Sequence, residues 1–211
     1  MYRKSGKRLL DLIITIPALI ILSPVIAAVA LYIRLKMGAP VIFRHQRPGL
    51  NEKLFYAYKF RTMTDAHDAD GNLLPDKDRL TKTGKFIRKL SLDELPQLWN
   101  VLKGNMSLVG PRPLFTDYLP YYTEKERTRH SVRPGITGLA QTSGRNKVDW
   151  NDRLALDVEY VENLSFALDI SILIKTFFQA VRSKDVLVTP GTAVQPLHIV
   201  RQQRQRAPSE A

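Results

Sequence analysis

The sequence predicts an α+β fold that is mainly helical: an N-terminal re-entrant membrane helix-hairpin, then a small β-hairpin, then amphipathic helices at a membrane interface. Three observations carry this expectation. Residues Leu12 to Ile33 run for 22 positions without a charge. Two stretches rich in β-formers, Val41 to Arg44 and Leu54 to Met63, flank a Pro48-Gly49 turn. The remainder alternates short helical patterns with loops rich in Gly and Pro. The boundaries are drawn at 1–37 for the anchor, 38–186 for one domain at the membrane interface, and 187–211 for a flexible basic tail.

A straight helix over the charge-free run would be about 33 Å long, enough to cross a hydrocarbon core of about 30 Å. A crossing helix, a cleaved signal peptide ending at Ala28-Val29-Ala30 and a re-entrant hairpin therefore compete. Two features favour the hairpin. Ser23-Pro24 falls near the middle of the run, where Pro24 offers no N–H to the carbonyl of Ile20 and the Ser23 hydroxyl can satisfy freed backbone. Both flanks are basic: Arg3, Lys4, Lys7 and Arg8 before, Arg34, Lys36, Arg44 and Arg47 after. A crossing helix would put one basic flank outside, against the positive-inside tendency. The signal-peptide reading suffers because the apolar run continues through Leu31, Tyr32 and Ile33.

Beyond the β-hairpin, Asp65 to Asp78 is polar and reads as a loop. Thr83 to Lys89 has the pattern of a short basic amphipathic helix, and Ser91 to Leu102 that of a second. Leu114 to Arg129 mixes aromatic and charged residues and is compatible with helix. Val132 to Lys147 is loop-like. Asn151 to Glu162 and Leu168 to Arg182 read as late helices. The last of these has a wide apolar face, which fits either core packing or shallow membrane insertion. From Gln202 the tail is polar and basic and is expected to be disordered.

Composition narrows the function classes. The 211 residues suit a single domain with its own core. The formal charge of +12 directs the chain toward anionic partners. With no cysteine, thiolate chemistry and Cys-ligated zinc are excluded. The histidines are scattered, and no P-loop, GxGxxG or GxSxG occurs.

The segment Ser91 to Leu98 carries the most chemical information. Ser91 and Glu94 have the spacing of a capping box, and that structural role alone would explain them. The functional reading uses the same geometry. Adjacent carboxylates on a helix point about 100° apart, so Asp93 and Glu94 can divide labour, one attacking phosphorus and the other holding a divalent cation. A helix N-terminus there would favour anions. Basic residues surround the pair in sequence: Lys59 and Arg61 on the preceding strand, then Arg88, Arg112 between two prolines, and Arg133 and Arg145 among glycines. Singly, each reads as a solvated surface residue. Together they suit bidentate phosphate recognition.

These segments resemble the bacterial sugar transferases, the monotopic phosphoglycosyl transferases. The motifs are "KRLLDL", Ser23-Pro24, "YKFRTM" from Tyr58, "LSLDELPQLWNVLKGNMSLVGPRP" from Leu90, "RPGITGLAQTSGRN" from Arg133 and "LDVEYVENLSFALD" from Leu156. The likeness runs from Lys7 to about Val186 and is strongest to the small PglC-like members. It implies a UDP-sugar:undecaprenyl-phosphate sugar-1-phosphate transferase, with 38–186 as its catalytic domain at the cytoplasmic face of the bacterial inner membrane. Asp93 would be the nucleophile. Glu94, with Asp93, would bind Mg²⁺. Lys59, Arg61, Arg88, Arg112, Arg133, Arg145, Asp157 and Asp169 would contact phosphate or other parts of the substrate. The implied partners are a UDP-sugar, undecaprenyl phosphate and anionic membrane lipids, with a homodimer and downstream glycosyltransferases left open. The resemblance leans toward an N-acetylated amino-sugar donor such as diacetylated bacillosamine, against a neutral hexose. Two readings from other classes remain: a non-catalytic basic membrane scaffold, and a membrane-tethered nucleic-acid binder. No base-reading motif supports the second, so nucleic acid is not an expected partner.

Overall fold

A long charge-free run must satisfy its backbone internally, and here it does so as one helix. The computed structural model describes residues 2–143, 149–182 and 195–206. Helix α1 (Lys7–Met37) follows a π-helical turn at Tyr2–Gly6 and is continuous through Pro17 and Pro24. At 1.5 Å per residue it extends for about 46 Å. The expected division into two separate arms is not seen. The Ser23 hydroxyl donates to the Ile20 carbonyl at 2.8 Å, supplying the partner that Pro24 cannot. The apolar middle is exposed, with Ile20, Ile21 and Val25 outward, while both ends dock on the same domain. Near the start, Arg8 donates to the carbonyls of Val101 and Leu102 at 2.5 and 2.8 Å, and Asp11 accepts from Ser107 and the Leu108 amide. Near the end, Val29 and Ile33 pack with Phe60 and Ile87.

Strands β1 (Ile42–Pro48) and β2 (Leu54–Phe60) form the expected antiparallel hairpin. Its register sets Phe43 opposite Lys59, His45 opposite Ala57 and Arg47 opposite Phe55. Directly opposed residues share a sheet face, so these six lie on one side. Helices α2 (Asp76–Arg79) and α3 (Lys82–Lys89) follow, and the Thr81 side chain caps α3 by accepting from the Gly84 amide at 2.8 Å.

The expected capping box at Ser91 does not form. Ser91 adopts left-handed geometry at φ 55° and its amide donates to the Arg88 carbonyl, so it closes α3 instead of opening a helix. Leu92–Glu94 is a 3₁₀ turn, and α4 (Gln97–Lys103) begins only after Pro96. The carboxylate pair therefore sits on a turn between helices.

Strand β3 (Ser107–Val109), in a stretch left unassigned above, and β4 (Gly135–Thr137), in a stretch read as loop, pair in parallel. A Cβ on Gly135 would overlap the Gly110 amide, so the two backbones meet only because both positions are glycine. A 3₁₀ turn at Thr116–Tyr121, α5 (Glu124–Arg127) and α6 (Leu139–Thr142) complete this region.

Helices α7 (Trp150–Glu162) and α8 (Phe166–Arg182) match the late helices expected. The wide face of α8 is only partly used for core packing. Ile172 is in the core with Val101, Met106 and Val109, whereas Ile174, Phe177 and Phe178 are exposed. Helix α9 (Leu197–Arg206) runs past Gln202, where disorder was expected. Leu197 is fully buried against Tyr118 and Trp150, and Gln202 donates to the Tyr121 hydroxyl at 2.8 Å. The boundary drawn at 186/187 falls outside the described residues.

Candidate active site

The 3₁₀ turn projects Asp93 and Glu94 into a cavity of about 1380 Å³. Glu94 Oε1 accepts from Lys59 Nζ at 2.5 Å and from Arg112 Nη2 at 2.6 Å. Strand β2 delivers the lysine, and the Gly110-Pro111-Arg112-Pro113 segment after β3 delivers the arginine. Asp93 Oδ2 lies 4.0 Å from Lys59 Nζ. The two carboxylates are thereby made different. Burial would raise Glu94, but Arg112 and Lys59 overcome it and hold this carboxyl well below its usual range. Burial, reinforced by the Glu94 charge, raises Asp93 against the pull of Lys59, Arg88 and Arg112. Glu94 is a fixed anion with two cations; Asp93 is a more basic carboxylate whose nearest cation among the described residues is Lys59 at 4.0 Å. The helix dipole expected to favour anions here is replaced by these side-chain cations.

Of the phosphate-binding candidates, Lys59, Arg61, Arg88, Arg112 and Asp157 line this cavity. Arg88 Nε donates to the Thr62 hydroxyl at 3.0 Å. Arg61 is committed elsewhere, to the Met37, Gly38 and Ala39 carbonyls that end α1. Asp157 is buried against Arg129, which donates to it from Nε at 3.1 Å and Nη2 at 2.7 Å. Arg129 Nη2 also holds the Arg112 carbonyl at 2.7 Å. Asp157 therefore bears on the site through the backbone of Arg112.

Two candidates lie outside the cavity lining. Arg133 Nε donates to the Gly104 carbonyl at 2.8 Å and closes the C-terminus of α4. Asp169 is fully buried and accepts from Lys7 at 2.7 Å, Tyr2 at 2.5 Å and Tyr160 at 2.7 Å. It clasps the start of α1 to α8, because a buried carboxylate needs such partners. Arg145 lies outside the described residues.

The cavity also takes in His45, Arg47, Phe115, Arg129 and Arg153, none of them read from the sequence as site residues. The hairpin register held a signal for two of them, since His45 and Arg47 share the sheet face of Lys59. Arg129 held none, as its pairing with Asp157 is tertiary. The cavity lining also includes Ala18 and Leu22 of α1. It thus joins a cationic carboxylate site to the apolar helix.

The model of the bacterial sugar transferase family matches residues 2–183, from the π-helical turn through α8. The chain belongs to this family. This sugar transferase is 57% identical over 185 residues to an uncharacterized sugar transferase, EpsL, of Bacillus subtilis, covering 88% of this chain and 89% of that one. It is 44% identical over 190 residues to the undecaprenyl-phosphate galactose phosphotransferase of Salmonella typhimurium, covering 81% of this chain. It is 40% identical over 188 residues to the UDP-glucose:undecaprenyl-phosphate glucose-1-phosphate transferase of Klebsiella pneumoniae, covering 84% of this chain. The sugar transferase spans 39% and 40% of those two longer relatives.

Proposed function

We propose that the protein transfers a sugar-1-phosphate from a UDP-sugar to undecaprenyl phosphate through a covalent intermediate on Asp93. The observation that carries this reading is the cavity itself, whose lining includes both the carboxylate pair with its cations and α1 residues Ala18 and Leu22. A water-soluble donor and a lipid acceptor both need access to one phosphorus, and this geometry supports that. The names of the Salmonella and Klebsiella relatives support the acceptor.

In the first step an Asp93 oxygen bonds to the β-phosphorus as the bond to the oxygen bridging the α-phosphorus breaks. UMP leaves with that electron pair. In the second, an oxygen of undecaprenyl phosphate bonds to the same phosphorus, the bond to Asp93 breaks, and the carboxylate is restored. An acyl phosphate retains transfer potential, so one difficult exchange becomes two easier ones. The raised basicity of Asp93 suits the nucleophile, and the permanent charge of Glu94 suits a site that must remain anionic.

Magnesium fits this donor set. Mg²⁺ is commonly held by one or two carboxylates together with substrate phosphates. Both hydrogen bonds to Glu94 arrive at Oε1, which leaves Oε2 and the Asp93 oxygens for a cation. Among the described residues no cluster of three or more acidic, His or Cys side chains could hold a metal by itself, so phosphate oxygens would complete the shell. The ion, when bound, neutralises phosphate charge.

The anchor reading belongs to the same proposal. Residues at both ends of α1 bind one polar domain, which supports a re-entrant anchor with both flanks at the cytoplasmic face of the inner membrane. For the donor sugar, the galactose and glucose in the relatives' names favour a neutral hexose over the acetamido sugar toward which the family resemblance leans.

Mass spectrometry of the enzyme with a UDP-sugar and Mg²⁺, without lipid acceptor, tests the mechanism. The expected result is a phosphosugar adduct on the peptide containing Asp93, and a loss of turnover on the order of 10⁴-fold or more in Asp93→Asn. Substantial turnover in Asp93→Asn, with no adduct in the wild type, would favour direct transfer. A panel of UDP-sugars scored by UMP release decides between hexose and acetamido donors.

A further inference from the structure

The cations lining the cavity are nearly all spoken for. Lys59 and Arg112 share Glu94 Oε1. Arg61 holds the end of α1, Arg88 holds Thr62, and Arg129 holds Asp157. A donor diphosphate brings further negative charge into a site whose cations already neutralise a carboxylate. Arg44 and Arg47 are the exceptions: among the described residues neither side chain makes a hydrogen bond or ion pair. Arg44 is exposed and lies 5.9 Å from the centre of the Tyr58 ring, whereas Arg47 is half-buried and its guanidinium stacks 3.9 Å from the centre of the Phe115 ring.

That stack is braced. The Phe115 ring meets His45 edge-on at 5.2 Å and Tyr118 at 5.5 Å. Arg47 leaves strand β1 opposite the buried Phe55, so its backbone is held by the sheet ladder. A guanidinium fixed in this way loses little freedom when it binds an anion. Burial, then the charge of Arg112, lowers its pKa to about 10, so it stays charged at neutral pH while poorly solvated. An unpaired, desolvated cation at a cavity wall is stabilised by an incoming oxyanion. Simple stacking on an aromatic ring explains the contact with Phe115. It does not explain why this half-buried arginine, unlike Arg61, Arg88, Arg112 and Arg129, has no acceptor.

We propose that Arg47 is a further phosphate-binding residue, which takes an oxyanion either of the donor nucleotide or of the acceptor lipid phosphate. The inference rests on the phosphoglycosyl transfer reading above. Charge-assisted hydrogen bonds of this kind are worth about ten- to a hundredfold in binding.

The experiment uses the full chain in lipid nanodiscs, with Arg47→Ala and Arg47→Lys. UMP-induced thermal stabilisation and inhibition by UMP report the nucleotide arm. The KM for undecaprenyl phosphate reports the lipid arm. In Arg47→Ala we expect one arm to weaken about ten- to a hundredfold, with the lysine variant between it and the wild type. Weakened UMP binding assigns the oxyanion to the donor; a raised KM for the lipid assigns it to the acceptor. Both arms within twofold of wild type would overturn the inference and leave Arg47 as a packing residue. Should Arg47→Ala melt early without ligand, Arg47→Gln, which keeps the stem but not the charge, is judged by the same criteria. A wild type that releases UMP from no UDP-sugar sinks the proposed function itself, a result distinct from an active wild type with unaffected variants.

Discussion

Glu94 and Asp93 are neighbours in the chain with opposite electrostatic histories, and that asymmetry has measurable effects on stability. The Glu94 carboxyl is held below its ordinary value of 4.5 by Arg112 and Lys59 against the cost of burial. A depressed carboxyl contributes stability that is fully present above the unfolded-state value and is lost as pH falls through the folded one. Glu94→Gln should therefore cost about 1 to 3 kcal/mol at pH 7, because two cations lose their anion. The gap between variant and wild type should close as pH drops below about 4.5. Denaturant melts across pH 3 to 7 check both the size and the sign. Asp93 runs the other way. Its carboxyl is raised above 3.8 by burial and by Glu94, so its ionised form is a net cost to the fold at neutral pH. Asp93→Asn should leave the melting temperature at pH 7 unchanged or higher while activity disappears. A large fall in melting temperature for Asp93→Asn would show that this carboxylate holds the turn together.

At the scale of elements, α1 is the part whose behaviour turns on one residue. Pro24 removes a backbone donor and Ser23 covers the orphaned acceptor. Pro24→Ala restores the missing backbone N–H and should favour a straighter segment. Single cysteines near Lys4 and near Lys36 report the outcome. In the wild type both should be shielded from an impermeant thiol reagent in intact cells, whereas in Pro24→Ala the Lys4 site should gain labelling. Wild-type labelling at Lys4 alone would mean a crossing helix. The elements that were legible in the sequence are those with a sustained period or a strong turn: α1, the β1–β2 hairpin, α3, α7 and α8. The start of α4 was misplaced because Ser-x-x-Glu spacing is shared by a capping box and by this chain reversal. The left-handed Ser91 and the imino acid at Pro96 choose the reversal. Strands β3 and β4 have three residues each, too few to show alternation, and their pairing depends on Gly110 and Gly135 meeting across the fold. Asp93, Glu94, Lys59, Arg88 and Arg112 could be read as a site because they cluster in short motifs. The roles of Asp157 and Asp169 could not, since each is set by a partner distant in the chain.

Over the whole molecule, the longest-range ion pair among the described residues is the clasp of Lys7 by Asp169, 162 residues apart. The aspartate side chain is fully buried and the lysine nearly so. Removing one partner of such a pair typically costs about 3 to 5 kcal/mol, because the other charge stays buried alone. Asp169→Ala should lose stability on that scale in lipid nanodiscs. The double variant Lys7→Met with Asp169→Leu should recover most of it, since both charges go together. Failure of the double variant to recover would locate the cost in the hydroxyls of Tyr2 and Tyr160, which share the same carboxylate. The clasp also sets an order of events during synthesis. The apolar helix leaves the ribosome first, and at roughly 5 to 20 residues per second its acidic partner follows only about 8 to 30 s later. For that interval the ammonium of Lys7 has only Asp11, one turn along its own helix, as a nearby anion, with water or lipid headgroups for the rest. On the proposed anchor reading, the helix meets lipid before the domain that fastens it exists, and translation closes the structure by latching its last long helix onto its first.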